Sequence, residues 1–341
     1  MNRRPPRPKR GALPTALHPE RVEYNPKRGE PSRKYDDKIL LMKMTSRTVL
    51  TIFQMAIFIL VAGCQAAEAQ TPEPTRLVPT PDLAPTERKN NSTATVVPTI
   101  TTCLESKGKV QVEQINSQSL SSPLEFTVYL PPCYDKSRQH PYPVLYMLHG
   151  QTNNNDQWPR LGLLDTADEL INTGEIPPLI IVMPYEITWS VGPEKSKFGE
   201  TLVEDLFPYI EGTYDVCSKD QCRAIGGLSR GGNWAVNLGF AYPESFTAVG
   251  SHSAPLFFGE INRITSIVTG GETLDKLPLF YIDAGHKDEN LAQVLAFVAL
   301  LKKYDVPYVY TQFTGYHSED YWGAHVRDYL TWYSAQLLTT P

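Results

Sequence analysis

Five consecutive residues, Gly227-Leu228-Ser229-Arg230-Gly231, constrain the fold of this 341-residue chain more than any other stretch. They follow a short apolar run and precede a helix-like segment, residues 232–238. A serine at a sharp strand-to-helix turn needs glycines on both sides, because a Cβ atom there would collide with the adjoining strand or helix. The serine oxygen then lies beside the N–H groups of the helix start, which can stabilise an oxyanion. The motif therefore predicts a nucleophile at Ser229; the alternative is a glycine-rich turn with an ordinary surface serine.

The hydrophobic pattern around this turn predicts an α/β fold. Strand-like runs cover residues 110–115, 124–130, 144–148, 179–183, 223–228, 248–251, 279–283 and 309–313. Helix-like stretches cover residues 161–172, 200–212, 231–241, 289–303 and 321–338. Hairpin-like strands followed by alternating strands and helices indicate a mostly parallel central sheet with helices on both faces. Ligand sites in such folds lie beyond the carboxyl ends of the strands, where Ser229 is expected.

Charge is unevenly distributed along the chain. The first 47 residues carry 13 basic and 5 acidic side chains, which leaves 19 basic and 32 acidic ones in the rest. An acidic folded part argues against nucleic acid as a partner. The length suits one large α/β domain with appendages.

The basic N-terminal region leads into a predicted export signal. Residues 48–63 form an uncharged, mostly apolar run that is shorter than a membrane-spanning helix and follows Lys43 and Arg47. The run ends in Val61-Ala62-Gly63-Cys64, which resembles a bacterial lipobox, whose cysteine is lipidated and becomes the mature N-terminus. The alternative is an uncleaved anchor with a chance cysteine. Either reading puts the rest of the chain outside the cytoplasm, on the periplasmic or cell-surface side of a bacterial membrane.

These features divide the chain into four parts. Residues 42–64 are a lipoprotein signal peptide, and residues 65–102, rich in Pro and Thr, are a disordered tether. Residues 1–41 are a basic, Pro/Arg-rich extension that translation from Met42 or Met44 would leave out. Residues 103–341 form the catalytic domain.

The cysteines fit an oxidising compartment. Lipidation of Cys64 leaves four, an even number, which suggests disulfides and allows three pairings. We favour Cys217–Cys222, which are close in sequence, together with Cys103–Cys133. Their spacing does not resemble a zinc site, so we expect no metal.

A serine nucleophile needs a base, and chain order narrows the choice. In α/β-hydrolases the order is Ser, then Asp or Glu, then His. We favour His317, which lies between the last strand and the last helix. His286 is the second choice, and His325 is expected inside the helix, packed or solvated.

The orienting acid is expected just beyond the carboxyl end of a strand. Asp288 occupies that position and is our choice, although it could instead cap the helix that follows. Asp283 and Glu289 remain alternatives.

The oxyanion hole would use backbone N–H groups. By position these are the N–H groups of Gln151, in the loop after the strand at 144–148, and of Arg230, after the serine. His149, which ends that strand, is interpreted as a structural residue that bonds the loop.

Four stretches together resemble the Putative esterase family of α/β-hydrolases, over roughly residues 124–338. They are Tyr-Pro-Val-Leu-Tyr-Met-Leu-His-Gly at 142–150, Gly-Leu-Ser-Arg-Gly-Gly at 227–232, Asp-Ala-Gly-x-x-Asp at 283–288 and Tyr-His-x-x-x-Tyr-Trp at 316–322. The family includes esterase D (S-formylglutathione hydrolase), feruloyl, acetylxylan and enterochelin esterases and antigen 85-type mycolyltransferases. The resemblance implies an α/β-hydrolase fold, a Ser229–Asp288–His317 triad and no cofactor.

Two positions depart from the family pattern. Tyr316 stands where glycine is common and is expected to narrow the pocket. Arg230 stands where methionine is frequent, and it would either pair with an acidic substrate group or lie along the helix surface.

The sequence thus predicts a serine carboxylic-ester hydrolase that acts outside the cytoplasm on a small-molecule or carbohydrate ester, with acetyl and feruloyl esters of carbohydrates as candidates. An acyltransferase of the antigen 85 type is one alternative. A non-catalytic surface binding lipoprotein is another. The predicted partners are the ester substrate and, through the lipid anchor, a membrane; the sequence does not indicate an oligomeric state.

Overall fold

The structure, a computed structural model, describes residues 21–25, 103–138, 140–188, 190–217, 222–270 and 274–337. The predicted signal peptide at 42–64 with Cys64 and the predicted tether at 65–102 lie outside these residues. Of the helices that the structure describes, none combines the length and apolar character needed to span a bilayer.

One sheet runs through the described part of the chain. Its strands, in chain order, are β1 (Arg21–Asn25), β2 (Lys109–Ile115), β3 (Leu124–Leu130), β4 (Val144–Leu148), β5 (Ile180–Pro184), β6 (Arg223–Leu228), β7 (Ala248–His252), β8 (Leu279–Gly285) and β9 (Tyr308–Phe313). Their spatial order is β1-β9-β8-β7-β6-β4-β5-β3-β2. The strands β4 to β9 pair in parallel with one another, whereas β2 with β3, β3 with β5 and β1 with β9 pair antiparallel. The carboxyl ends of the parallel strands therefore meet at one edge.

Helices cover both faces of this sheet. They are α1 (Gln157–Arg160), α2 (Leu163–Asn172), α3 (Phe198–Thr201), a π-helical turn (Leu202–Leu206), α4 (Phe207–Thr213), α5 (Arg230–Ala241), α6 (Phe258–Gly270), α7 (Leu291–Lys303) and α8 (Glu319–Leu337). Alternate residues of β4 divide between two cores: Tyr146 packs with α3 to α7, whereas Met147 packs with α1, α2 and α8. Because successive strand residues point to opposite faces, this division confirms the predicted α/β fold with helices on both sides.

Three elements were not predicted: α1, α6 and β1. Helix α6 lies outside the predicted helix-like stretches, and its Gly, Ser and Thr residues are weak helix formers. Its hydroxyl groups bond back along the helix: Thr265 Oγ1 donates to the carbonyl of Ile261 at 2.7 Å, and Thr269 Oγ1 to that of Thr265 at 2.8 Å. Strand β1 comes from the 1–41 extension and pairs along the outer edge of β9.

Both predicted cysteine pairs are joined. The sulfur atoms of Cys103 and Cys133 lie 2.02 Å apart, and those of Cys217 and Cys222 lie 1.94 Å apart. The first disulfide attaches the segment that precedes β2 to the turn that follows β3.

Candidate active site

Ser229 lies between the end of β6 and the start of α5 in a strained backbone conformation. Its φ of 52° and ψ of −118° are unusual for a residue with a Cβ atom. The bond from its own N–H to the carbonyl of His252, at 2.8 Å, ties the turn to β7. A Cβ atom on Gly227 would overlap the backbone of Gly231, and one on Gly231 would overlap the carbonyl of Leu148. The glycines on both sides of the serine are therefore required by backbone contact.

Ser229, His317 and Asp288 come together at the carboxyl edge of the sheet. His317 Nε2 lies 2.9 Å from Ser229 Oγ, and His317 Nδ1 lies 3.1 and 3.2 Å from the two carboxylate oxygens of Asp288. His317 follows β9, and Asp288 follows β8. With its Nδ1 proton directed at the carboxylate, the imidazole leaves Nε2 free to accept the serine proton.

The environment of Asp288 favours its ionised form. Burial by itself would raise the pKa of this carboxyl, but bonds from His317, Ser253 and the N–H of Asn290 hold its pKa below the ordinary value of 3.8. The Asn290 N–H donates to Asp288 Oδ1 at 2.7 Å, just before α7. The alternative reading of Asp288 as the helix cap is wrong, because the N-cap of α7 is Asn290 and the structure shows no side-chain cap bond there.

The other candidate acids and bases lie elsewhere. Asp283 is fully buried, and its carboxylate accepts bonds from His252 Nδ1 at 2.6 Å, from the Tyr321 hydroxyl at 2.7 Å and from the Tyr329 hydroxyl at 3.0 Å. His286 Nδ1 accepts the Gly315 N–H at 3.2 Å. Glu289 is exposed.

His325, as expected, packs inside α8. Its ring stacks on Phe313 at 3.9 Å between centroids, and the residue is 1 % exposed.

The buried His252–Asp283 pair was missed in the sequence. The two residues are direct partners across β7 and β8. Asp283 ends one predicted strand, and His252 lies one residue beyond the end of another. Their positions at the ends of two successive strands were the signal that could have revealed the pair.

The loop after β4 lies against Ser229. Gly150 N–H donates to Gln157 Oε1 at 2.8 Å, and the position of a Cβ atom on Gly150 would be 3.7 Å from the Ser229 Cβ atom. Thr152 has a φ of 61°, an unusual value for a β-branched residue. His149 bonds this loop, as expected for a structural residue: its Nδ1 is 2.7 Å from the Gly150 carbonyl oxygen.

The Arg230 side chain pairs within the protein, which neither sequence-based alternative anticipated. Its Nε donates to Glu186 Oε2 at 2.7 Å, and its Nη2 donates to Glu186 Oε1 at 2.5 Å and to the Val191 carbonyl at 2.6 Å. The Arg230 side chain is 13 % exposed and that of Glu186 only 3 %. Its charge is thus already neutralised, and an acidic substrate group is not needed to balance it.

A cavity of about 500 Å³ opens over Ser229. Its lining comes from the loop after β4, the segment after β5, the nucleophile turn with the start of α5, and the segment before α6 with the first turns of α6. The lining residues are Gln151, Gly192, Pro193, Glu194, Ser229, Arg230, Asn233, Pro255, Phe257, Gly259, Glu260 and Arg263. Tyr316, expected to narrow the pocket, is 59 % exposed and is not part of this lining. Among the residues that the structure describes, no cluster of three or more His, Cys, Asp or Glu side chains could hold a metal ion.

Comparison with known proteins gives matches throughout this domain. The family described as "Putative esterase" matches residues 117–333. An "Endo-1,4-beta-xylanase/feruloyl esterase" of Xylanibacter ruminicola is 34% identical over 151 residues, which are 41% of this chain but 20% of that protein. An "Acetyl esterase" of Caldicellulosiruptor saccharolyticus is 21% identical over 225 residues, 56% of this chain and 83% of that protein. The solved structure of a "ferulic acid esterase" is 27% identical with a TM-score of 0.59, covering 68% of this chain and 99% of that one.

Proposed function

Since the chain belongs to the Putative esterase family, we propose that it is a serine carboxylic-ester hydrolase whose acyl-enzyme forms on Ser229. The observation that carries the proposal is the continuous set of contacts from Ser229 Oγ through both ring nitrogens of His317 to Asp288. This order of nucleophile, base and acid is the one that activates a serine hydroxyl.

In the proposed reaction, Ser229 Oγ attacks the ester carbonyl carbon while His317 Nε2 takes the serine proton. The carbonyl electrons move onto the oxygen, and the N–H groups of Gln151 and Arg230 stabilise the resulting oxyanion. Collapse of this intermediate breaks the ester C–O bond, and the leaving alcohol takes the proton from His317. Asp288 fixes the imidazole tautomer and stabilises its cation. Water then repeats the sequence on the acyl-enzyme and releases the acid.

The proposed substrates are acetyl or feruloyl esters of carbohydrates. The similar proteins named above, two of them feruloyl or ferulic acid esterases and one an acetyl esterase, support both acyl groups. The cavity of about 500 Å³ beside Ser229 is large enough for an aromatic acyl group. Initial rates on a panel of aryl esters, from acetyl to feruloyl, would rank the acyl groups.

Replacement of the nucleophile tests the hydrolase proposal. Ser229→Ala is expected to lower turnover of an aryl acetate by about 10⁴-fold or more, as loss of a triad serine does. The wild type should also be labelled by a fluorophosphonate at Ser229. Unchanged turnover in a folded Ser229→Ala protein would contradict the proposal. An unlabelled wild type without turnover would favour a binding protein, and acyl transfer to an added sugar would favour a transferase.

We propose that the mature protein is held outside the cytoplasm by a lipid on Cys64. The apolar run that ends in Val61-Ala62-Gly63-Cys64 supports this proposal. Cleavage there would remove strand β1, which lies upstream. Mass spectrometry of the N-terminal peptide of membrane-bound protein is expected to find lipidated Cys64, and Cys64→Ser is expected to release the protein from the membrane fraction. A mature chain that retains residues 21–25 would contradict the proposal.

A further inference from the structure

We infer that His149, Glu186 and Arg230 form a positioning unit that holds the two oxyanion-hole N–H groups in place relative to Ser229. The inference rests on the proposed function, because it takes the N–H groups of Gln151 and Arg230 as the donors. None of the three side chains needs to contact the substrate for this role.

The first donor is fixed through the peptide that joins Gly150 to Gln151. His149 Nδ1 lies 2.7 Å from the Gly150 carbonyl oxygen, which also accepts the Asn153 N–H at 3.2 Å. A peptide group is planar and trans, so its N–H points opposite to its C=O. Two donors that hold the Gly150 oxygen therefore fix the direction in which the Gln151 N–H points.

The other ring nitrogen of His149 extends the unit to the segment after β5. The Glu186 N–H donates to His149 Nε2 at 2.8 Å, so Nε2 is an acceptor and Nδ1 carries the proton. His149 is 3 % exposed, and this burial lowers its pKa below the ordinary value of 6.5. The neutral imidazole can therefore accept from Glu186 and donate to Gly150 at the same time.

The second donor is fixed through the Arg230 side chain. Arg230 is the first residue of α5, and its guanidinium holds the Glu186 carboxylate with two bonds, at 2.5 and 2.7 Å. Paired bonds of this kind fix orientation as well as distance. Glu186 thus connects the two donors. Its backbone N–H bonds His149, which orients the Gln151 N–H, and its carboxylate bonds Arg230, whose own N–H is the other donor.

A second arginine–glutamate pair, at the opposite end of β6 from Ser229, offers a control. Arg223, at the start of β6, pairs with Glu211 of α4. The Arg223 side chain is 11 % exposed, close to the 13 % of Arg230, whereas Glu211 is 31 % exposed and Glu186 only 3 %. Because β6 separates Arg223 from Ser229, loss of this pair changes stability without touching the oxyanion hole.

The test compares Glu186→Gln, His149→Phe and His149→Asn with the control Glu211→Gln. Glu186→Gln and His149→Phe are expected to lower kcat about 10- to 100-fold with KM within about threefold of the wild type, less than the loss of a whole oxyanion donor. The inhibition constant of a boronic acid, which binds serine as a tetrahedral adduct, should rise by the same factor as kcat/KM falls. His149→Asn, whose amide can still donate to Gly150, should recover part of kcat. Glu211→Gln should lower Tm and leave kcat unchanged.

The double variant His149→Phe/Glu186→Gln should be little slower than the slower single variant, because both changes break one unit. Unchanged kcat in a folded Glu186→Gln protein would overturn the inference, and so would a fall in kcat without weaker boronic acid binding. Glu186→Gln keeps the test valid even if His149→Phe does not fold. If Ser229→Ala itself retains turnover, the proposed function fails; if it is inactive and the positioning variants are unaffected, this inference alone fails.

Discussion

Two of the three histidine–carboxylate pairs among the described residues, His317–Asp288 and His252–Asp283, differ in the third group that each histidine contacts. The Nε2 atom of His317 meets Ser229 Oγ at 2.9 Å, whereas that of His252 meets the Tyr333 hydroxyl at 3.0 Å. Side chains of His252 and Asp283 are fully buried, whereas the His317 side chain is 17 % exposed. The His317–Asp288 pair can therefore exchange a proton with a bound ester. The buried His252–Asp283 pair instead joins β7 to β8 and stabilises the sheet.

Substitution of the two carboxylates should separate these roles. Asp288→Asn is expected to lower kcat by about 10³- to 10⁴-fold, because the imidazole loses the partner that fixes its tautomer. Asp283→Asn should instead lower Tm, since a buried carboxylate that accepts three bonds is replaced by an amide. Steady-state kinetics and thermal unfolding of both variants check this. A larger loss of kcat in Asp283→Asn than in Asp288→Asn would reverse the assignment.

His149 gives the protein a pH-dependent stability with a definite sign. Burial is the main cause of its lowered pKa; Arg230 lowers that pKa further, while the Gly150 carbonyl and Glu186 partly oppose the shift. Below the ordinary pKa of 6.5 the unfolded chain takes up a proton that folded His149 resists. Stability is therefore complete above that pH and is lost as pH falls through the folded pKa.

The comparison with His149→Phe isolates this contribution. Between about pH 8 and about pH 5.5 the Tm of the wild type should fall further than that of the variant, which lacks the imidazole. The lowered pKa of Asp288 changes stability only below its ordinary value of 3.8, which is outside this pH range. Equal falls in the two proteins would contradict the prediction.

At the scale of elements, the strand-to-helix turn tolerates no side chain at Gly231. Gly231→Ala is expected to abolish turnover and lower Tm, because the new Cβ atom would overlap the rigid backbone of Leu148 and His149. Gly212→Ala, in α4, is the control: nothing lies within 4 Å of its Cβ position. There alanine should stabilise the helix by about 0.5–1 kcal/mol. Thermal unfolding and aryl acetate kinetics of both variants test these expectations. An active Gly231→Ala protein would refute the packing argument.

Elements with regular apolar patterns were predictable from the sequence. The bounds of β3, β4 and β6 agree with the predicted runs, because the residues of all three strands are almost all buried and mostly apolar. Ser229, Asp288 and His317 could be chosen because each follows a strand whose carboxyl end faces the same edge. The Arg230–Glu186 pair could not, since two charged side chains 44 positions apart leave no local pattern. Helix α6 was missed because its composition favours a loop, and its packing overrides that preference.

At the scale of the whole molecule, the two disulfides should differ in what they contribute. The Cys103–Cys133 link spans a sequence separation of 30 and the Cys217–Cys222 link one of 5, so the first restricts the unfolded chain more. Loss of the first is expected to cost about 3–4 kcal/mol and loss of the second about 2 kcal/mol. Denaturant unfolding of the paired Cys→Ser variants measures both costs. A smaller cost for Cys103→Ser/Cys133→Ser than for the other pair would contradict the expectation.

The bond from Arg230 to the Val191 carbonyl divides the segment after β5 into two parts with different evolutionary freedom. A change that displaces the Glu186 carboxylate or the Val191 carbonyl would, under the positioning role inferred above, slow the turnover of every ester alike. From Gly192 to Glu194, the chain lines the cavity, and a substitution there changes which ester fits. The range of substrates can therefore be altered without disturbing the bonds that hold Arg230, and a foreign loop is best grafted immediately after Val191.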